Sequence, residues 1–291
     1  MNNLIVFATY WNEMGWVEAS LRQIERIDPV EVIICDGCFD PRRDVPSTDG
    51  TRQVIESFVA RRENARMISP VRLSLAGALW RAIRGHEKSP RSNVFKAARW
   101  KGVFATLANV AYRRNQAATF NRMISLSKFW KPGRWFMAYD SDQFYPDDMI
   151  DRFAEIVNGQ NDYGLLTANE MTFFDDFEHY TDTYEKRNYN NMPHRIYRNT
   201  TIIPTRGIIL EEWPIRSLSP RRIISRELYV NRVPAKDVGT YFHYKIATRE
   251  RFQQGYQVGG RRKPDVSQYV MKPFTGRHPS VITELLLSSD A

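Results

Sequence analysis

Cysteine is nearly absent from this 291-residue chain, which has only Cys35 and Cys38. A zinc site on a C-x-x-C spacing needs a second pair of Cys or His ligands at similar spacing, and the sequence has none, which excludes that reading. A thioredoxin-like motif would open a helix, whereas Cys35 closes the apolar run Val32-Ile-Ile-Cys35. Both thiols therefore read as structural and belong to a reducing compartment. Long apolar runs are missing as well, which excludes a membrane-spanning helix. The opening Met1-Asn-Asn-Leu-Ile-Val-Phe-Ala-Thr9 has no basic start and too short an apolar run for a secretory signal, and it predicts a strand. These readings predict a cytoplasmic protein. No internal repeat or low-complexity tract occurs.

Acidic residues are scarce in one stretch. Between Val71 and Arg114 ten Lys or Arg face a single acid, Glu87, an excess that equals the whole net charge of +9. Such a segment suits an anionic partner: a nucleotide, a phospholipid or a nucleic acid. Leu75, Leu79, Trp80 and Ile83 recur among the cations at helical spacing, which predicts a basic helical insertion over 71–114. Two readings stay open for it: peripheral contact with a membrane surface, or a cap packed on the core with a solvated face. Elsewhere the chain is ordinary, 42% hydrophobic and 26% charged, and long enough for one large or two closely joined domains.

The remaining pattern is strand and helix in alternation. Leu4–Ala8 is an apolar run suited to a central parallel strand and ends in the polar, aromatic turn Thr9-Tyr-Trp-Asn-Glu13. A helix follows over 15–27, a strand over 32–35 stopping at Asp36, a helix over 51–62, and a strand over 65–69. This order predicts an α/β fold with a mixed, mainly parallel sheet flanked by helices, whose ligands sit beyond the carboxyl ends of the strands. A soft boundary near Asn169 divides residues 1–169 from a less regular 170–291 packed against them.

Arg134-Trp-Phe-Met-Ala-Tyr139 is another apolar run, and it delivers Asp140-Ser-Asp142 where it stops. In an extended chain residues i and i+2 share a face, so Asp140 and Asp142 can turn toward one point. Two carboxylates at the end of a buried strand need a cation, and a divalent ion carrying a diphosphate meets that need. Asp140 could instead cap the helix that follows Pro146.

With these residues in place, the chain resembles the family-two glycosyltransferases of the GT-A (Rossmann-like) fold. The likeness rests on the Tyr-x-Asn-Glu turn, Asp36, the helix opening Thr48-Asp49-Gly50-Thr51, the pair Arg114-Asn115, and Asp140-Ser141-Asp142. It covers about Leu4 to Ala168. Two features depart from it: Cys38 to Pro46 intervenes after Asp36, and the basic segment before Arg114 is longer than the usual link. The resemblance implies a nucleotide-sugar donor, a divalent metal such as Mn2+ or Mg2+, inversion at the anomeric carbon, and a glycan or lipid-linked acceptor. By the same implication Thr9, Tyr10, Asn12 and Glu13 line the base and ribose pocket and Asp36 meets the base edge. Arg114 lies near the diphosphate, Asp140 and Ser141 face the ribose or metal, and Asp142 holds the metal.

His243 is a further candidate metal ligand, although it could equally pack among Tyr241, Phe242 and Tyr244. Inverting transfer also needs a base for the acceptor hydroxyl. Glu212 and Glu170 are the candidates, with Glu211 beside them. Two other functions compete. A sugar nucleotidyltransferase needs a glycine-rich loop after the first strand, and Ala8-Thr-Tyr-Trp-Asn12 has no glycine. A nucleic-acid-binding protein explains the basic segment, but carboxylates at the same sheet edge repel phosphates unless a metal is bound, so no nucleic acid is expected.

Overall fold

The structure is a computed structural model. It describes residues 2–43, 46–72, 74, 76, 115–116, 118–120, 122–131, 134–160, 163, 165–174, 176–182, 194–198, 235–245, 267 and 269–289. Most of the expected basic helical insertion, together with Arg114, Glu211 and Glu212, lies outside these residues.

The apolar runs form the centre of one mixed sheet. β1 (Asn2–Tyr10) pairs in parallel with β2 (Pro29–Asp36) on one side and β4 (Trp135–Asp140) on the other, and β3 (Ala65–Ile68) extends the parallel set beyond β2. β1 is buried on both faces, as a central parallel strand must be. Leu4, Val6, Ala8 and Tyr10 point into one core with residues of α1 (Val17–Ile27), α2 (Thr51–Ala60) and α3 (Asp147–Asn158). Ile5 and Phe7 point the other way, against Phe120, Met123 and Ile124 of the helical residues 118–120 and 122–126. The expected α/β class, with its sheet flanked by helices, is therefore observed.

Beyond β4 the sheet becomes largely antiparallel. β6 (Leu165–Phe173) and β4 are joined through β8 (His194–Arg198), which is antiparallel to both. β7 (His179–Thr181) and β10 (Lys272–Pro273) close that edge, and α4 (Ser280–Ser289) ends the described chain. β6 runs straight through the expected boundary near Asn169. The two halves share a sheet there, because Asn169 and Glu170 continue the same ladder with their neighbour.

That neighbour is β9 (Ala235–Tyr244), parallel to β6 and antiparallel to the two-residue β5 (Gln143–Phe144). Its register slips between Thr167/Asn169 of β6 and Asp237/Thr240 of β9, one extra residue on the β9 side. Gly239 sits in this bulge at φ 123°, a backbone conformation that glycine adopts readily, and a Cβ there would stand 2.9 Å from Arg152 Nη2. One extra residue reverses which face each later side chain takes. The bulge thereby sets the side to which Tyr241 and His243 point.

Candidate active site

Sheet register gathers the acidic residues at one edge. Tyr10 is opposite Asp36, and Thr9 is opposite Asp140, so the carboxyl ends of β2, β1 and β4 stop side by side. This is where a doubly wound sheet binds ligands. The side chain of Tyr10 does not face that edge. Being in phase with Leu4, Val6 and Ala8, it lies in the core with its hydroxyl 2.7 Å from Ser20 Oγ, which corrects its expected place in the pocket wall.

The turn after β1 is knitted to the loop before α2. Asn12 adopts φ 52°, tolerated by Asn more than by most residues; its amide donates to Ser47 Oγ at 2.9 Å and its Oδ1 accepts from the Thr48 amide at 2.9 Å. The Glu13 amide donates to Thr51 Oγ1 at 2.7 Å and that of Met14 to Asp49 Oδ2 at 3.0 Å. The Glu13 carbonyl accepts from Trp16 and Val17, which starts α1. Asn12, Glu13, Ser47, Asp49 and Thr51 are thus one connected wall.

Asp36 anchors that wall from beneath. Its carboxylate is fully buried and accepts from Ser47 Oγ at 2.6 Å, the Ser47 amide at 3.3 Å and Arg52 Nη1 at 3.3 Å. In this fold the carboxylate expected at a base edge holds Ser47 and Arg52. Neither partner stood out in the sequence, since a serine in a polar loop and a helical arginine are common. Burial raises the carboxyl's pKa, and Ser47 and Arg52 offset only part of the rise.

With a folded pKa above the unfolded value of about 3.9, Asp36 contributes stability that is fully present below about pH 4 and is lost as pH rises through the folded pKa. Asp36→Asn removes that loss. The melting temperature of the variant minus that of the parent will therefore be larger near pH 7 than near pH 4; a flat or narrowing difference would contradict this account.

The inserted loop after Asp36 is also built in. Asp40 is fully buried and accepts from Arg42 Nη2 at 2.6 Å and Nε at 2.9 Å. Arg72 donates to the Asp40 carbonyl at 2.8 Å, and Asn115 Nδ2 to the Phe39 carbonyl at 2.8 Å. Asn115 of the expected Arg114-Asn115 pair therefore ties the loop to the helical stretch that follows. Cys35 and Cys38 are buried free thiols, as expected of structural cysteines.

The second cluster lies beyond β4. Residues 141–142 form a turn, so the extended geometry that would put Asp140 and Asp142 on one face ends at the strand. Gln143 Nε2 donates to Asp140 Oδ2 at 3.3 Å. Asp142 meets a different partner: β5 pairs with β9, Gln143 opposite His243, and His243 Nε2 stands 3.2 Å from Asp142 Oδ2. The Tyr244 amide donates to the Asp142 carbonyl at 2.8 Å, which fixes the turn on β9. Ser141 is buried within it.

On its other side, His243 Nδ1 is 2.8 Å from Glu170 Oε1. Glu170 also accepts from Thr172 Oγ1 at 2.5 Å and the Tyr241 hydroxyl at 2.6 Å. Burial and Lys245 lower the imidazole's pKa, but Asp142 and Glu170 outweigh them and bring it up to about 9. Burial alone would raise the Glu170 carboxyl, yet His243, Lys245 and Thr172 bring it down to about 2. Thr172 and Tyr241 belong to no motif in the sequence. Their signal was spacing: Glu170 with Thr172, and Tyr241 with His243, are i, i+2 pairs that share a strand face.

Of the expected ligands Asp140, Asp142 and His243, the structure thus brings Asp142 and His243 together. Among the described residues no group of three His, Cys, Asp or Glu side chains forms a ready metal cage. The pair nonetheless fits a hard divalent ion. Mg2+ binds through one or two carboxylates plus substrate phosphates, and Mn2+ also accepts imidazole. Among the described residues, no helix is long and apolar enough to cross a membrane.

No family model matches the chain, and no curated protein matches it. Among solved structures it is similar to the mannosyltransferase PcManGT from Pyrobaculum calidifontis, in complex with GDP-Man and Mn2+. That match has 12% identity and a TM-score of 0.43, and covers 99% of this chain and 69% of that one. It is also similar to mouse xyloside xylosyltransferase 1 in its apo form, at 11% identity and a TM-score of 0.33, over 90% of this chain and 94% of that one.

Proposed function

We propose that the chain is a metal-dependent glycosyltransferase of the GT-A type, related to family two, which moves a sugar from a nucleotide-sugar donor to a hydroxyl of a glycan or lipid-linked acceptor with inversion. The observation that carries this reading is the meeting of Asp142 and His243, 3.2 Å apart, just past the strand ends where Asp36 and Asp140 stop. A carboxylate and an imidazole at that edge are oxygen and nitrogen donors suited to Mn2+ or Mg2+, with diphosphate oxygens and water as the remaining ligands. When bound, the ion neutralises charge that builds on the departing nucleoside diphosphate, which favours the transition state over the ground state.

The chain's own residues have distinct tasks in this scheme. The wall of Asn12, Glu13, Ser47 and Asp49 receives the nucleoside, kept in shape by Asp36 from below. Thr9, Asp140 and Ser141 face the ribose and diphosphate, with Asp140 oriented by Gln143. Arg114 and the segment 71–114 fall largely outside the described residues, and they are assigned to the diphosphate and to the acceptor from the sequence alone. Glu170 is a poor proton acceptor for the acceptor hydroxyl, because three donors occupy it and its pKa is near 2. Glu212 remains the proposed base.

Calorimetry against a panel of nucleoside diphosphates tests the reading. One base will bind preferentially, and only with Mn2+ or Mg2+ present. Equal binding of all bases, or binding indifferent to the ion, would contradict it.

A further inference from the structure

A histidine offers one ring nitrogen to a metal when the other carries the proton, and the partner of the second nitrogen makes that choice. Behind His243 the partner is Glu170, 2.8 Å from Nδ1, while Nε2 on the far side of the ring faces Asp142. Glu170 and His243 are both buried, and Thr172 and Tyr241 donate to the same carboxylate from the two strands that hold it. The arrangement depends on the bulge at Gly239, since without the extra residue Tyr241 and His243 would turn away from Glu170.

Chemistry distinguishes this carboxylate from a polar filler. An ionised carboxylate only accepts hydrogen bonds, and both Glu170 and Asp142 face the ring; the 2.8 Å contact at Nδ1 is shorter than the 3.2 Å contact at Nε2, so the single hydrogen of the neutral ring is held at Nδ1. A glutamine in the same place could accept from Nδ1–H or present its amide N–H to a bare Nδ1. It would therefore no longer dictate which nitrogen is protonated.

We propose that Glu170 is a positioning residue that fixes the neutral His243 as its Nδ1–H tautomer, leaving the Nε2 lone pair directed to the Asp142 side for a divalent ion. The inference rests on the reading of Asp142 and His243 as the ion site. Glu170 acts wholly through His243 and touches neither substrate nor ion. Thr172 and Tyr241 keep its carboxylate from rotating away from the ring.

Mn2+ uptake by the full chain, with GDP and with UDP, followed through the electron paramagnetic resonance signal of the free ion, tests this. Glu170→Gln will weaken Mn2+ binding by about 10–100-fold, the usual loss when a histidine ligand's supporting partner is removed. His243→Ala will weaken it at least as much. The double variant will bind no more weakly than His243→Ala alone, because Glu170 has no other route to the ion. If His243→Ala weakens binding and Glu170→Gln matches the parent, or if the two losses add, the positioning role is wrong while the ion site stands. If His243→Ala binds Mn2+ like the parent, the ion-site reading falls and the inference with it.

A second measurement needs no variant. Nitrogen-15 resonances of His243 in the metal-free parent, followed to a pH at which the ring is neutral, will show the Nδ1–H tautomer. The Nε2–H pattern would overturn the proposal.

Discussion

Asp142→Ala will abolish Mn2+-dependent nucleotide binding and leave the chain folded. The loss will exceed the roughly 10–100-fold that removal of a supporting group costs, because a direct donor disappears. Folding survives because the turn is held by its backbone: the Tyr244 amide donates to the Asp142 carbonyl, which alanine retains. Asp142 also raises the pKa of His243, so the variant's imidazole will titrate at lower pH than the parent's. Calorimetry with Mn2+ and nucleoside diphosphate, together with a thermal melt, checks both halves. Parent-like affinity in a folded variant would move the ion site elsewhere.

Trp16→Ala will have the largest effect on stability, about 3–5 kcal/mol for truncating a large buried aromatic side chain. Trp16 is buried before α1 and stacks on Tyr244 with ring centroids 5.7 Å apart; Phe144 is 5.8 Å away and Phe177 6.3 Å. The same cluster includes Phe173, Phe242, Val281 and Ile282, so it fastens β5, β6, β9 and α4 to the start of α1. Phe144 and Tyr244 adjoin Gln143 and His243 in the chain. A cavity there will therefore loosen the β5–β9 pairing that brings His243 to Asp142, and Mn2+ affinity will fall along with stability. Urea unfolding measures the first effect and Mn2+ titration below the unfolding transition the second. A loss under about 1 kcal/mol would show that the cluster adds little to docking the C-terminal segment.

The N-terminal half was legible because its signals are local. β1, β2 and β4 each contain a continuous apolar run that stops at a polar residue, and α1 repeats Val17, Leu21, Ile24 and Ile27 on one face. Asp140 and Asp142 could be located at a strand end, but the turn at 141–142 breaks the extended spacing on which their shared face depended. Tyr10 was misassigned to the pocket although its phase with Leu4, Val6 and Ala8 was there to be read.

The C-terminal half resisted for a different reason. β9 contains Lys236, Asp237 and Gly239, a composition depleted in strands, and its bulge interrupts the period of two. Its partners Glu170 and Gln143 lie far back along the chain, so no window of sequence contains the pairing. The His243 site is a product of that long-range register, and its supporting carboxylate, Glu170, could be named from sequence only as a candidate base.

The central claim is that this sheet edge breaks a nucleotide-sugar bond with the help of a divalent ion. The most direct measurement is release of nucleoside diphosphate from a panel of nucleotide-sugars by the full chain, with Mn2+, with Mg2+ and with chelator. The account predicts release from a restricted set of donors, dependent on the ion and lost in Asp142→Ala. Release unaffected by chelator and by Asp142→Ala would contradict it.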